Sequence, residues 1–305
     1  MTTTTYDQIE QVPAEWLWRG LIPMAGLTLI AGPGGVGKGM ALVDLAARVS
    51  NGAHMPDGST GQPAGDVVMI TPEDDSNSTV SFRLAAAHAD PDRISDAGDD
   101  GNWTLPDGIG ELRELVDSLP DPRLVILDPL LSACTISLST NLAARRVLGA
   151  LDRIGRETGC AILVSRHVVK SGSIAGSRGL TDAARTVLRI ERAPENPAIR
   201  LMSIDKANNI ADTAAAVRFR IAGEAEGAHV EWLTGLAEPA DDGGAVLRAL
   251  RAADGLTVHE CAVAASMSYR LVRIELAGLE RRGLVERNAD GTYSPRSARR
   301  LASVS

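Results

Sequence analysis

The sequence predicts an α/β fold with a mainly parallel central sheet, followed by a small helical domain. Three observations predict it. Short apolar runs alternate with helical patterns through the first half of the 305 residues. Four later apolar runs follow one another with little helix between them, which adds antiparallel strands at 186–191, 198–204, 216–221 and 228–233. Three helical patterns then precede a hairpin signal at Asp290 and Gly291.

Composition narrows the classes of protein to consider. The chain has 44% hydrophobic residues, enough for a large core, but only 3% aromatic residues, which argues against nucleic-acid binding dominated by base stacking. Its three cysteines are far apart and suggest no disulfide framework or metal site. No apolar run approaches the roughly 18 residues of a membrane span, and the first residues lack a secretory-signal pattern. We therefore expect a cytoplasmic protein.

The first strand, turn and helix carry a phosphate-binding motif. Residues 27–31 form a short apolar run, and apolar positions from Met40 to Ala46 indicate a helix. Between them, residues 32–38 match G-x-x-x-x-G-K, the P-loop, in the strand-to-helix context that this motif needs. Glycines let backbone N–H groups surround phosphate oxygens, and the lysine reaches the β- and γ-phosphates. The predicted ATP-binding residues are Gly32, Pro33, Gly34, Gly35, Val36, Gly37, Lys38, Gly39 and Met40.

One position departs from the motif. The residue after Lys38 is normally Ser or Thr, whose hydroxyl ligates Mg²⁺, but here it is Gly39. Glycine offers no ligand and costs about 1 kcal/mol of helix propensity. Phosphates, water and a carboxylate can still hold Mg²⁺, because this ion keeps several waters; otherwise hydrolysis is slow or absent. If a ligand is simply missing, Gly39→Thr should lower the Mg²⁺ requirement.

Two acidic residues follow apolar strands, as in ATPases. A strand at 124–127 ends at Asp128, the Walker B pattern, and this carboxylate is predicted to hold Mg²⁺ through water. A strand at 66–71 precedes Glu73, predicted to be the general base that orients the attacking water, with Asp74 as its support or as a cap. The alternative is that both acids only serve the N-terminus of a helix near 78–88.

The remaining pattern sets the domain boundaries. Residues 90–107, rich in Asp, Gly and Pro, are predicted to be a surface excursion. A long helix is predicted over 141–157, with Gly159 as its C-cap, before a strand at 160–164. The predicted organisation is a flexible N-terminus (1–11), an ATPase domain (12–236), a linker (237–242) and a winged-helix domain (243–301).

Charge is unevenly distributed along the chain. The net charge is −8, but residues 243–305 contain 10 Lys or Arg against 6 Asp or Glu. A basic end favours contact with a polyanion such as DNA, with a solvated basic surface as the alternative. The helix that begins near residue 268 is the candidate recognition helix, with Tyr269, Arg270 and Arg273 as predicted DNA-binding residues. Many winged helices bind only proteins, which is the other interpretation.

From Trp16 to about Asn209 the chain resembles the RepA-type branch of the hexameric RecA/DnaB-like ATPases, best known as plasmid replicative helicases. The resemblance rests on the P-loop, the Walker B strand and a series of shorter motifs in the same order. These are Pro72-Glu73-Asp74 followed by 81–85, then His167 and Lys170, Gly176-Ser177, 180–185 and 205–208. The family often has Arg before the Gly-Ser pair, where this chain has Ala175.

The resemblance implies roles for residues outside the P-loop. His167 matches the sensor that links the γ-phosphate to the DNA-binding loops. Arg185 and Lys206 match basic residues that reach the nucleotide of a neighbouring subunit, where charge stabilises phosphoryl transfer. Loops near 131–140 and 168–179 would face a central channel, where small polar and cationic side chains suit DNA phosphates. In the second loop the predicted DNA-binding residues are Lys170, Ser177 and Arg178. A strand-end histidine and solvated cations are the structural alternatives.

The predicted function is that of an ATP-dependent DNA helicase or translocase in plasmid or phage-like replication. By the same resemblance it works as a hexamer on single-stranded DNA, with ATP and Mg²⁺ between subunits. Two other classes remain open. One is a RecA-like recombination or strand-annealing ATPase, which would form filaments or rings without unwinding duplex DNA. The other is a nucleotide-gated DNA-binding regulator that does not hydrolyse ATP, as Gly39 suggests.

Overall fold

The fold is described by a computed structural model, which covers residues 5, 13–97, 103–168, 178–207, 216–224, 227–233, 244–253, 255–265, 267, 269–281 and 284–296. Its strands are β1 (Trp16–Trp18), β2 (Ile22–Pro23), β3 (Gly26–Gly32), β4 (Asp66–Ile70), β5 (Ile94–Asp96), β6 (Pro122–Leu127), β7 (Ala161–His167), β8 (Thr186–Ala193), β9 (Asn196–Ala207), β10 (Val217–Ala222), β11 (His229–Leu233), β12 (Val285–Arg287) and β13 (Tyr293–Pro295). Its helices are α1 (Lys38–Asn51), α2 (Ser81–Ala86), α3 (Ile109–Ser118), α4 (Asn141–Thr158), α5 (Arg178–Ala183), α6 (Gly244–Ala252), α7 (Val258–Ala264) and α8 (Tyr269–Arg281).

A nine-stranded sheet organises the chain, in the order β11-β10-β9-β8-β3-β7-β6-β4-β5. The strands from β8 to β5 in this order run parallel, and β9, β10 and β11 extend the sheet by antiparallel pairing. This arrangement confirms the predicted α/β class and its mainly parallel sheet. The P-loop strand β3 lies between β7 and β8, so the loop that follows it is surrounded by the ends of other strands.

Alternation along the strands builds a core on each face of the sheet. In β6, Leu124 and Ile126 point into one apolar cluster with helix α1, whereas Val125 and Leu127 point into the other with helix α4. Both faces are covered, which explains why these strands appear in the sequence as continuous apolar runs. Helix α4 begins at the Thr140 cap and ends at Gly159, whose φ of 80° fits the predicted C-cap.

Part of the predicted surface excursion at 90–107 belongs to the sheet, which corrects that prediction. Residues 94–96 form β5 and pair in parallel with β4. Leu105 is fully buried, and its backbone N–H donates to the carbonyl of Ala133 at 2.7 Å. Helices α3 and α5 and the short hairpin of β1 and β2 are also absent from the sequence prediction. The α3 segment escapes it because only Leu112 and Val116 of its ten residues are buried.

The C-terminal elements have an apolar cluster of their own. Helices α6, α7 and α8 contribute residues such as Leu250, Cys261 and Leu276, and the hairpin of β12 and β13 adds Val285. Three helices followed by a hairpin is the predicted order of elements, and the winged-helix assignment stays a prediction. The predicted linker at 237–242 lies outside the described residues. Among the helices that the structure describes, none has both the length and the apolar character to cross a membrane.

Candidate nucleotide-binding site

The P-loop connects β3 to α1 by a turn that only glycine accommodates at several positions. Gly35 and Gly37 have φ angles of 67° and 97°, in the left-handed region that disfavours other residues. A Cβ on Gly32 would lie 2.5 Å from the carbonyl oxygen of Ile190, so β8 also requires glycine there. Gly37 precedes the helix directly, which turns the free N–H groups of α1 toward the loop.

Lys38, the first residue of α1, is buried at the centre of this site, with 5% of its surface exposed. Its Nζ donates hydrogen bonds of 3.0 Å to the carbonyl oxygens of Gly32 and Pro33. Burial lowers the pKa of Lys38, and the nearby carboxylates of Asp128 and Glu73 oppose that shift. The ammonium group therefore shares one electrostatic environment with the predicted base Glu73 and the predicted metal-binding residue Asp128.

Asp128 lies where β6 ends, next to the start of α1. Its backbone N–H donates to the carbonyl of Ile70 at 3.0 Å, and the Ser165 hydroxyl donates to its Oδ1. Burial raises the pKa of Asp128, while the hydrogen bond from Ser165 and the charge of Lys38 lower it. A Cβ on Gly39 would lie 2.8 Å from its Oδ2. The carboxylate thus adjoins the residue that departs from the P-loop motif.

The acids after β4 have separate partners. Glu73 is exposed and its Oε1 accepts a hydrogen bond of 2.5 Å from the Ser132 hydroxyl. Asp74 forms a salt bridge of 2.7 Å with Arg83 of α2. Asp75, not Asp74, caps the following π-helical turn by accepting from the Ser78 N–H at 2.6 Å. The predicted capping role of Asp74 is therefore wrong, because the side chain one residue later has the cap geometry.

His167 ends β7 and pairs in register with Gly32 on β3. Its Nδ1 is 3.1 Å from Nζ of Lys38 and would lie 3.9 Å from a Cβ on Gly34. The histidine is thus adjacent to the P-loop, as a γ-phosphate sensor must be. Its role as a sensor stays a prediction.

Arg185 lies near the opposite end of β3, and Lys206 lies on β9, two strands from β3. The Arg185 side chain packs on Gly26, the first residue of β3, and its backbone N–H donates to the carbonyl of Leu27 at 2.9 Å. Lys206 donates to three carbonyls at the end of α5, those of Thr181, Asp182 and Ala184. Six steps along β3 lead from Gly26 to Gly32, about 20 Å at the rise of a strand. Arg185 cannot reach the P-loop of its own chain from there, and Nζ of Lys206 is held by the carbonyls near α5.

The predicted DNA-binding residues are only partly described. Lys170 and Ser177 lie outside the described residues, and for Arg178 and Arg270 only the backbone is described. Tyr269 and Arg273 are both exposed and lie one helical turn apart on α8. In the first predicted channel loop, Leu131 is 48% exposed beside Ser132.

The protein oxygens that the structure describes at this site are too few to hold Mg²⁺ alone, so the ion fits here only together with a nucleotide. In the part of the chain that the structure describes, no cluster of three or more His, Cys, Asp or Glu side chains is arranged to hold a metal. The Asp128 carboxylate, whose Oδ2 lies beside Gly39, is the oxygen ligand type that Mg²⁺ prefers. Phosphate oxygens and water would have to complete the coordination.

Two residues of the site have no motif in the sequence. Ser165 is fully buried in β7 and reaches Asp128 across the sheet, while Ser132 reaches Glu73 from the loop after β6. Ser165 directly follows the apolar run 160–164, and a hydroxyl at that place is only a weak signal in the sequence. Nothing in the sequence distinguishes Ser132 from other loop serines.

Comparison with known proteins agrees with this geometry. The family model described as "AAA domain" matches residues 2–173, more than half of the chain. The "DNA repair protein RadA" of Halalkalibacterium halodurans is 28% identical over 177 residues, which is 56% of this chain and 34% of that protein. The chain thus spans about a third of the length of this relative. The family match includes the P-loop, Glu73 and Asp128 and ends before Arg185.

Proposed function

Because the chain belongs to the AAA domain family and has a RecA-like P-loop ATPase core, we propose that it is an ATP-dependent DNA helicase or translocase of the RepA type. Its context would be plasmid or phage-like DNA replication. The observation that carries the proposal is that Lys38, Asp128 and Glu73 follow the carboxyl ends of three parallel strands of one sheet, β3, β6 and β4, where α/β proteins bind ligands.

The P-loop supports ATP as the nucleotide ligand. The glycine-rich turn and the free N–H groups of α1 would surround the phosphates, and Nζ of Lys38 would exchange its bonds to Gly32 and Pro33 for phosphate oxygens. Asp128 would hold the Mg²⁺ that typically accompanies the nucleotide in this family. When bound, that ion neutralises charge on the β- and γ-phosphates.

Glu73 is proposed as the general base. It lies on the loop after β4, is exposed, and shares the electrostatic environment of Lys38. A carboxylate there can orient a water molecule toward the γ-phosphate. Its hydrogen bond to Ser132 ties it to the first predicted channel loop, so DNA bound to that loop can alter how the base is held.

The position of the basic residues supports action between subunits. Arg185 lies near the end of β3 remote from its own P-loop, and Lys206 is bonded to carbonyls near the end of α5. If Arg185 stabilises phosphoryl transfer, it must do so in a neighbouring chain, which requires an assembly of chains, and the same action in trans is proposed for Lys206. A hexameric ring is the proposed form. Lys206 would have to leave the α5 carbonyls to reach a phosphate.

Two observations favour alternative functions. The similarity to a protein named as a DNA repair protein favours recombination or strand annealing. Gly39 favours a regulator that binds ATP without hydrolysing it. Strand displacement by a ring distinguishes the helicase from the first alternative, and DNA-stimulated ATP turnover distinguishes it from the second.

The direct test measures ATP hydrolysis and strand displacement with and without single-stranded DNA. We expect DNA-stimulated turnover in the wild type, loss of ATP binding in Lys38→Met, and retained binding without turnover in Glu73→Gln. Glu111→Gln is the matched control, since Glu111 is an exposed acid on α3 outside the site. Turnover that survives Glu73→Gln would remove that residue as the base. A wild type that binds ATP without hydrolysing it would leave the regulator as the better account.

Mixed assemblies test the basic residues. Glu73→Gln and Arg185→Ala chains are each expected to be inactive alone, but coexpression should restore part of the turnover. Restoration occurs because some interfaces then combine an intact Glu73 with an intact Arg185 from the next chain. Coexpression of Glu73→Gln with Lys38→Met is the control. Both residues serve the nucleotide site of their own chain, so no site in the mixed assembly has both intact, and turnover should not return. If the Arg185 mixture stays inactive while wild-type assemblies work, the proposed role in trans is wrong.

A further inference from the structure

The Asp128 carboxylate occupies space that a side chain at position 39 would need. A Cβ built on Gly39 lies 2.8 Å from Oδ2 and 4.0 Å from Cγ of Asp128. That separation from Oδ2 is shorter than real Cβ contacts allow, so a Ser or Thr at this position would have to displace the carboxylate. The absence of a Ser or Thr side chain at position 39 therefore leaves the space that the Asp128 carboxylate occupies.

Asp128 is held in this position from two sides. The Ser165 hydroxyl, fully buried on the neighbouring strand β7, donates to Oδ1. On the other side, the Asp128 backbone N–H donates to the carbonyl of Ile70 at 3.0 Å. With Oδ1 bound to Ser165, Oδ2 is the oxygen that adjoins the start of α1, where the P-loop motif normally places its metal-binding hydroxyl.

Its chemistry makes Oδ2 of Asp128 a suitable replacement for the absent hydroxyl. Mg²⁺ is bound in proteins by one or two carboxylates together with phosphates and water. A charged carboxylate oxygen can fill a position that a neutral hydroxyl fills elsewhere, provided that no side chain at position 39 keeps it away. Glycine at this position meets that condition.

We propose that Asp128 binds the nucleotide's Mg²⁺ directly through Oδ2, in the place of the absent Ser or Thr hydroxyl, and that Ser165 is the residue that positions it. This proposal rests on the proposed ATPase function and changes its expectation for Gly39. A side chain there should weaken metal binding, whereas the motif alone predicts that Gly39→Thr improves it. Gly39→Ala separates the two effects, because it adds the crowding atom without the hydroxyl.

The experiment uses Mn²⁺ with ADP as the probe, so it needs neither DNA nor hydrolysis. Protein labelled with ¹³C at the Asp side-chain carboxyl is examined by electron–nuclear double resonance of bound Mn²⁺. We expect a ¹³C coupling typical of a carboxylate bonded to the metal in the wild type, and its loss in Asp128→Asn. Mn²⁺ affinity at saturating ADP should fall by about 10- to 100-fold in Gly39→Ala and Ser165→Ala.

Controls separate metal binding from folding and from nucleotide binding. Gly110→Ala is the matched control, because Gly110 is also the second residue of a helix and a Cβ there meets nothing within 4 Å. Circular dichroism should show Gly39→Ala, Ser165→Ala and Gly110→Ala folded, and ADP affinity in EDTA should be unchanged in Ser165→Ala and Gly110→Ala. Those results show that each variant folds and that the loss in Ser165→Ala is specific to the metal.

Each outcome decides the proposal. Bound Mn²⁺ without the ¹³C coupling would overturn it, as would unchanged Mn²⁺ affinity in Gly39→Ala. Failure of the wild type to bind ADP with Mn²⁺ would overturn both this proposal and the ATPase function. If the coupling is present but DNA-stimulated turnover is absent, the proposed function falls and the ligand assignment stands.

Discussion

The hydrogen bond between Ser132 and Glu73 predicts how Ser132→Ala alters catalysis. The Ser132 hydroxyl is 2.5 Å from Oε1 of Glu73, so it occupies one oxygen of the proposed base and competes with the attacking water for it. A hydrogen bond to a charged group contributes about 1.5–3 kcal/mol when it is shielded from water. Because both side chains are exposed to water, we expect less than this range, about 1 kcal/mol, which corresponds to roughly a fivefold change in rate.

Ser132→Ala is therefore expected to raise ATP hydrolysis without DNA about fivefold. The rate at saturating single-stranded DNA should change little, because DNA on this loop would already have released Glu73, so the stimulation ratio falls. The assay compares initial rates with and without DNA. Ser137→Ala is the matched control, since Ser137 lies in the same loop and bonds to Ser139 at 2.9 Å. A decrease of the basal rate in Ser132→Ala would refute the reasoning and show that the bond orients Glu73 productively.

Three further predictions concern stability and reactivity. Gly155→Ala should lower the free energy of unfolding in urea by about 1–3 kcal/mol, because its Cβ would lie 2.9 Å from a side-chain carbon of β7. In contrast, Gly149→Ala on the same helix meets nothing within 4 Å and should raise stability by about 0.5–1 kcal/mol. Trp232→Phe should cost about 1–2 kcal/mol in the same measurement, because it removes a 2.6 Å hydrogen bond to the buried carboxylate of Asp44. Burial raises the pKa of the Cys134 thiol from 9.0 to about 11. Because the thiolate is the reactive form, alkylation by iodoacetamide at pH 8 should be about a hundredfold slower than for a thiol of pKa 9.0. The alkylation rate should rise up to about pH 11, and mass spectrometry can follow it.

The fold was predictable where local chemistry decides it. The segment from β3 to α1 combines a buried strand, glycines with positive φ and an amphipathic helix, and each of these leaves a signal within a few residues. Strand β5 leaves no such signal, because its three residues pair only at the edge of the sheet with β4. Helix α3 was missed because its two buried residues are too few for a clear helical period.

The candidate site also contains residues that the sequence indicated and residues that it did not. Lys38 and Asp128 belong to motifs, so the sequence indicated both residues. Their supports do not, because Ser165 lies 37 residues from Asp128 and Ser132 lies 59 residues from Glu73. Such contacts depend on how parallel strands come together and cannot be inferred from spacing. The crowding between Gly39 and Asp128 belongs to this class, so the sequence indicated a missing ligand but not the carboxylate beside it.

The distribution of charge across the sheet constrains the assembly. The P-loop follows the carboxyl end of β3, whereas Arg185 packs at its amino end, about 20 Å away by the rise of a strand. An arginine so placed can complete a nucleotide site only if the amino end of one sheet faces the P-loop of another. That contact can be made head to tail, which closes into a ring or continues as a filament depending on the rotation between neighbours, or it can be made twice across a two-fold dimer. In every case it needs a second chain, so a chain that stays monomeric with ATP and DNA present would exclude the proposed role of Arg185.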